Sequence, residues 1–302
     1  MGKTSAMNLF RRLEQLNGIG AALSRERDIE RLLENILEAA KTLTGADGGT
    51  LYSVTDDHTA LHFEIMRTDS LGIRQGGTTG QRIALPDLPL RHADGSPNDA
   101  LVAAHSALHD RTVNIADAYA EEGFDFSGTR AFDQRTGYRS QSFLTVPMKN
   151  HDGELIGVLQ LLNALDPETG QVVAFSEADQ SLTESLASQA AIALSNRLLI
   201  SQLERLFESF VKLINIAIDE KSPYTGGHCE RVPALTMMLA EAADATTEGP
   251  LAEFHMTERD RYELQMAGLL HDCGKITTPV HVVDKATKLQ TIYDRIDLVD
   301  TR

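Results

Sequence analysis

The chain has 302 residues, ordinary apolar and charged content, and a formal net charge of −16. That length fits about two domains, each able to bury its own core. The charge argues against a nucleic-acid partner, because phosphate backbones are held by clustered Lys and Arg, and no apolar run of about 18 residues exists to span a bilayer.

The start, Met1-Gly2-Lys3-Thr4-Ser5, leads into Arg11 and Arg12 without a secretory hydrophobic segment, so a cytoplasmic location with no membrane partner is expected. The two cysteines, Cys229 and Cys273, are then expected to be reduced, buried thiols.

Residues 7–43 carry Leu9, Leu13, Leu16, Ile29, Leu32, Leu33, Ile36, Leu37 and Ala40 at helical spacing, with a break expected at Asn17-Gly18-Ile19-Gly20. The segment 1–24 reads as a lead-in helix, either dimerising or packed on its own domain. Gly45 to Gly49 reads as a turn, followed by strands at Thr50–Val54 and Ala60–Met66 and a short strand signal at Gln81–Leu85. A short helix is expected from Asp99 to Leu108, then an extended piece at Thr112–Ile115. His105 and His109 stand four apart on that helix and share a face, which reads as a solvated or core pair. Phe143–Met148 and Leu155–Asn163 read as a hairpin turned at Asp152-Gly153, the second strand apolar enough to lie inside a covered sheet.

From residue 178 to 220 a long helix carries Leu182, Leu186, Gln189, Ala193, Asn196, Ile200, Leu203, Phe207, Phe210, Ile214 and Ala217 at alternating four- and three-residue steps. Such an a/d seam, sustained over about five heptads, predicts a parallel coiled-coil homodimer, with Gln189 and Asn196 fixing register. Up to about Asn196 the helix is expected to pack on its own domain.

This order of helix, antiparallel strands, polar middle, two long strands and closing helix resembles a GAF domain over about residues 25–197. The residues that carry the resemblance are Asn114-Ile115-Ala116-Asp117-Ala118-Tyr119, Gly137-Tyr138-Arg139-Ser140, Leu144 to Met148 and Gly157 to Asn163. It is most similar to the GAF domains of cyclic-nucleotide phosphodiesterases and adenylyl cyclases. Those carry a dispersed Asn-Lys…Phe…Asp-Glu signature whose lysine and aspartate pair near the nucleotide pocket. The corresponding positions here are Asn163, Ala164, Phe175, Asp179 and Gln180. The resemblance implies a ligand-binding role for Asn163, Phe175 and Asp179, with a cyclic nucleotide as candidate ligand. With Ala164 in place of the lysine that pair cannot form, so an empty or differently filled pocket is expected. Residues 1–200 hold no cysteine that could carry a bilin.

Near the end, an apolar helical run closes on Gly268-Leu269-Leu270-His271-Asp272-Cys273-Gly274-Lys275, and upstream Tyr224-Thr225-Gly226-Gly227-His228 opens another helix at a Thr225 N-cap. Imidazole and carboxylate together suit first-row divalent metals. The two stretches resemble the HD superfamily of metal-dependent phosphohydrolases, and within it the HD-GYP branch that cleaves cyclic di-GMP. The resemblance implies metal ligation by His228, His271 and Asp272, with Asp272 bridging two divalent ions (Fe, Mn, Ni or Zn) and Lys275 near the scissile phosphate. Tyr224 stands where some members carry a third-metal glutamate, so two ions are implied.

Downstream, His281 reads as a loop residue beside Pro279, and Asp284, Asp294, Asp297 and Asp300 come too soon to match the family's final aspartate. Thr278-Pro279-Val280 and Asp284 to Leu289 resemble a variant HD-GYP subgroup. The expectation is therefore an α+β chain in four parts. These are a lead-in helix (1–24), a GAF sensor (25–197), a signalling and dimerisation helix (178–220) and a partial, all-α HD domain (221–302). The complete protein would hydrolyse cyclic di-GMP, and this stretch alone would be inactive. The competing reading is a non-enzymatic ligand-binding and dimerisation module with a structural HD remnant.

Overall fold

The computed structural model describes residues 2–220, 227–283 and 296–302. The chain divides into two compact units, Met1–Ile200 and Ser201–Arg302.

The first unit opens with α1 (Gly2–Leu23) and α2 (Ile29–Thr44). α2 starts where Asp28 accepts a hydrogen bond from the Arg31 amide and turns its apolar stripe (Leu32, Leu33, Ile36, Leu37, Ala40) into the core. The break expected at Asn17–Gly20 falls instead at residues 24–28. Gly20 lies at a close approach of α1 to the long helix: a Cβ there would sit 1.9 Å from Gln189 Oε1. Leu16 and Leu23, on either side, are both in the core. The glycine serves helix packing rather than a chain break, and Gln189 meets α1 of its own chain.

Eight strands follow the helices and build one antiparallel sheet. They are β1 (Ala46–Val54), β2 (Ala60–Thr68), β3 (Ile73–Gly76), β4 (Leu88–Pro89), β5 (Val113–Ile115), β6 (Phe143–Lys149), β7 (Leu155–Leu165) and β8 (Val172–Val173). Their order is β3-β2-β1-β7-β6-β5, with β4 on β2 and β8 on β7. β1 begins at Ala46, earlier than the turn read into Gly45–Gly49, because Gly48 pairs with Thr68 on one side and Leu162 on the other. A ladder on both edges overrides the turn propensity of glycine. Residues 81–87 form no strand, and Leu85 is exposed.

Alternation along the strands splits the core in two. Leu51, Leu144, Val146, Leu159 and Leu161 face α1, α2 and the long helix α5 (Glu177–Asp219). On the other face Tyr52 and Val158 meet α3 (Val102–His109), while Phe143 meets Val102, Ile115 and Phe126. Each fully buried Leu or Ile contributes roughly 1.5–3 kcal/mol. α4 (Ser127–Thr136) carries no apolar period: its buried member is Asp133, which accepts from Tyr119 Oη and from the Ser140 amide and hydroxyl.

Among its described residues the second unit is all helical: the end of α5, then α6 (His228–Asp244), α7 (Glu258–Leu270), α8 (Val280–Val283) and α9 (Ile296–Thr301), with short 3-10 turns at Gly249–Leu251 and Cys273–Thr277. Along α5, Leu182, Leu186, Ala190 and Leu194 are buried, whereas Leu203, Phe207 and Phe210 are 64%, 46% and 58% exposed. No helix among the described residues is long and apolar enough to cross a membrane.

Candidate metal centre

α7 starts at a capping box, in which Thr257 and Asp260 each bond the other's backbone amide. It ends at His271. Gly268 is where α7 presses against α6; a Cβ there would lie 3.1 Å from Pro233 Cα. The contacts Pro233–Gly268 and His228–His271 run in opposite chain directions, so the helices pair antiparallel and bring the first residue of α6 to the last turn of α7. Asp219 accepts from the Gly227 amide at 2.9 Å and fixes the entry into α6.

His228, His271 and Asp272 converge there. His228 Nε2 lies 3.1 Å from His271 Nε2 and 3.3 Å from Asp272 Oδ2, and His271 Nε2 lies 3.2 Å from the same oxygen. This near-equilateral triangle matches the roughly 2.9–3.5 Å between donors that share one ion at bond lengths of about 2.0–2.2 Å. The donor set, two imidazoles and a carboxylate, suits Zn, Fe, Mn or Ni. His271 Nδ1 is 2.7 Å from the Gly268 carbonyl, which can only accept, so Nδ1 carries a proton and, in the neutral imidazole, Nε2 turns its lone pair into the triangle.

Lys275 Nζ lies 2.6 Å from Asp272 Oδ2. Burial would raise the Asp272 carboxyl, but the Lys275 hydrogen bond and the charges of His271, Lys275 and His228 outweigh it and hold the pKa below the ordinary range. The Cys229 thiol, buried beside Asp219, is pushed up to about 11, chiefly by burial. Cys273 departs from expectation: it opens the 3-10 turn after His271-Asp272 and is exposed.

Tyr224, Thr225, Asp284 and Asp294 lie outside the described residues. His281, read from sequence as a loop residue, has its backbone in α8, where Pro279 O accepts from the Val282 and Val283 amides. Its side chain, like that of Asp297, lies outside the described residues, and Asp300 is exposed on α9.

In the first unit, Asn163, Phe175 and Asp179 each have partners within the chain. Asn163 Oδ1 accepts from the Gln141 and Ser142 amides, and its Nδ2 donates to Tyr138 Oη and Arg139 O. Phe175 is in the core. Asp179 accepts from the Ser176 amide and hydroxyl and, at 2.5 Å, from the Arg12 guanidinium. Ala164 offers no cation, and α1 supplies one from the far end of the chain. The same guanidinium donates to Leu43 O. A cavity of about 500 Å³ opens elsewhere, at the β2–β3 edge beside Glu30, His62, Glu64 and Arg82.

Sequence reading also missed Asp99 as a partner of His105 and His109. The loop before α3 brings its Oδ1 within 3.2 Å of His105 Nδ1 and 2.6 Å of His109 Nε2. The signal was the i, i+4 histidine pair with an acid just upstream.

Comparison with known proteins gives two family matches, a GAF domain at residues 28–194 and an HD domain at residues 225–300. A dual 3',5'-cyclic-AMP and -GMP phosphodiesterase 11A from Takifugu rubripes is 31% identical over 118 residues, 39% of this chain and 12% of that protein. A dual 3',5'-cyclic-AMP and -GMP phosphodiesterase 11 from Drosophila melanogaster is 37% identical over 105 residues, 34% of this chain and 7% of that protein. The chain therefore spans a small part of these curated relatives. Among solved structures, the GAF domain of a Coxiella burnetii phosphoenolpyruvate-protein phosphotransferase aligns with TM-score 0.47 at 18% identity, covering 65% of this chain and 99% of that one. The GAF domain of the Acinetobacter phosphoenolpyruvate-protein phosphotransferase aligns with TM-score 0.46 at 16% identity, covering 64% and 98%. With more than half of its length in the first match, the chain belongs to the GAF domain family, and it carries an HD domain behind the GAF domain.

Proposed function

We propose that this chain belongs to a cytoplasmic signalling phosphodiesterase whose substrate is cyclic di-GMP, with a GAF sensor ahead of an HD catalytic domain. The observation that carries the reading is the His228–His271–Asp272 triangle with Lys275 beside it. When bound, paired divalent ions at such a site supply Lewis-acid charge and an acidified water. The chain's own residues supply the rest. Gly268 O holds His271 in the tautomer that ligates, Asp272 stays ionised, and Lys275, bonded to Asp272, supplies a positive charge for a phosphate oxygen.

The described residues gather three donors at this position, fewer than a bridged metal pair needs. The a/d positions exposed on α5, Ile200, Leu203, Phe207 and Phe210, support a parallel homodimer that passes a signal from the GAF sensor to the HD domain.

The test compares cyclic di-GMP hydrolysis and metal content in the protein as wild type and as Asp272→Asn and His271→Ala. Loss of both metal and turnover in both variants supports the reading. Hydrolysis that survives Asp272→Asn, or turnover of 3',5'-cyclic AMP or GMP instead, overturns it. Absence of stoichiometric metal from the wild type would favour a GAF ligand-binding and dimerisation module with a structural HD remnant.

A further inference from the structure

A second cluster of metal-competent side chains lies in the first unit, on α3. Asp99, His105 and His109 each bring one ligand atom within 4.8 Å of the other two. The two rings are one helical turn apart, with centroids 4.4 Å apart and tilted by 42°, and both turn a nitrogen toward the same carboxylate oxygen.

The elements under this cluster are firmly tied. Asn98, next to Asp99, is buried and bonds Leu90 O through its amide and Pro89 O through Nδ2. On the other side the Asp125 amide donates to Ala100 O at 2.7 Å. The Phe124 ring stands edge-on to His105 at 5.3 Å. Ala103 and Ala104 seat α3 on the sheet. The three ligating groups are thus carried on a scaffold whose position is set by the core. Their side chains remain 30–48% exposed, which leaves room for ion entry and for a water ligand.

We propose that Asp99, His105 and His109 form a mononuclear site for a first-row divalent cation, with Zn²⁺ as the best match. Two imidazoles and a carboxylate with an open fourth position are a known zinc donor set. An ion there joins the loop at Asp99 to the last turn of α3 and stiffens the element that covers one face of the sheet. The site is independent of the HD cluster and of the reading of that cluster as catalytic. The alternative use of the same atoms, a carboxylate accepting two imidazole N–H bonds, turns protons rather than lone pairs inward, so metal titration separates the two.

The experiment strips the full 302-residue chain of metal and titrates it with Zn²⁺, with Co²⁺ as an optical probe of coordination. It compares His271→Ala, which removes a ligand of the other cluster, with His271→Ala/His109→Ala and His271→Ala/Asp99→Asn. His271→Ala is expected to retain one Zn²⁺ equivalent, and each double variant to bind it about 100-fold more weakly or not at all. Because Asn is nearly isosteric with Asp and Asp99 is half exposed, the Asp99→Asn chain keeps the fold while losing the anionic ligand. A His271→Ala chain that binds no Zn²⁺, or double variants that bind it as His271→Ala does, overturns the proposal.

Discussion

Two polar clusters, one in each unit, look alike in a residue inventory and differ in their hydrogen-bond accounts. Asn163 sits at 2% exposure on β7 against the segment that leads into β6, and both oxygen and nitrogen of its amide are used by the chain itself. At the end of α7, by contrast, two imidazole nitrogens face one another at 3.1 Å, with a carboxylate as third corner. With the proton of His271 committed to Gly268 O, its Nε2 brings a lone pair to that meeting. A satisfied cluster holds a fold, and a convergence of ligand atoms offers a place for a cation. That distinction, rather than residue type, separates the Asn163 cluster of the GAF unit from the candidate centre of the HD unit.

The largest effect is expected where the account is closed. Asn163→Ala strands buried donors and acceptors and loses the tolerance of asparagine for the left-handed φ of 54°, so it should cost about 3–5 kcal/mol in urea unfolding. Asn163→Gly should recover about 1 kcal/mol of that, because glycine adopts positive φ freely. A loss below about 1 kcal/mol for the alanine variant would remove the basis of the comparison.

The open cluster should behave oppositely. In a His109→Ala background, which silences α3, His271→Ala should change metal-free stability by less than about 1 kcal/mol. It should also weaken Zn²⁺ binding about 100-fold, or about 2.8 kcal/mol, read as the loss of the zinc-dependent rise in Tm. Metal-free destabilisation as large as that of Asn163→Ala would mark the triangle as structural.

Next in size is the exposed seam. Phe207→Glu/Phe210→Glu puts charge at two a/d positions and should weaken self-association at least about tenfold in sedimentation equilibrium. A wild-type chain that is monomeric at micromolar concentration would end the dimer reading.

Arg12→Ala removes the cation from Asp179. The pair is partly solvated, so a cost of about 1 kcal/mol is expected, and swapping the two charges should restore part of it.

The smallest effect is electrostatic. The folded pKa of Asp272 is depressed below the unfolded value near 3.9. Its contribution to stability is therefore in place above about pH 4 and is lost as pH falls through the lower folded value. Lys275→Met should raise that pKa and shift the loss toward higher pH, which NMR titration of the carboxyl carbon resolves. An unchanged titration would show that Lys275 does not govern this carboxylate.

Local pattern determined much of this protein. The apolar stripe of α2, the β6–β7 hairpin and the run into His271-Asp272 are all written in consecutive residues, because periodicity and turn chemistry act over a few positions. So were His228 and His271 as donors, since residue type alone sets what a side chain can ligate. What the sequence left open were the meetings of distant segments. Gly20 packs on Gln189, Arg12 reaches Asp179 across 167 residues, and Gly268 lets α7 close on α6 so that His228 arrives beside His271. α4 had no apolar period to announce it, and only the folded loop before α3 brings Asp99 to its two histidines. Steric closeness and hydrogen-bond satisfaction between such segments are properties of the packed chain, and only the tertiary structure decides them.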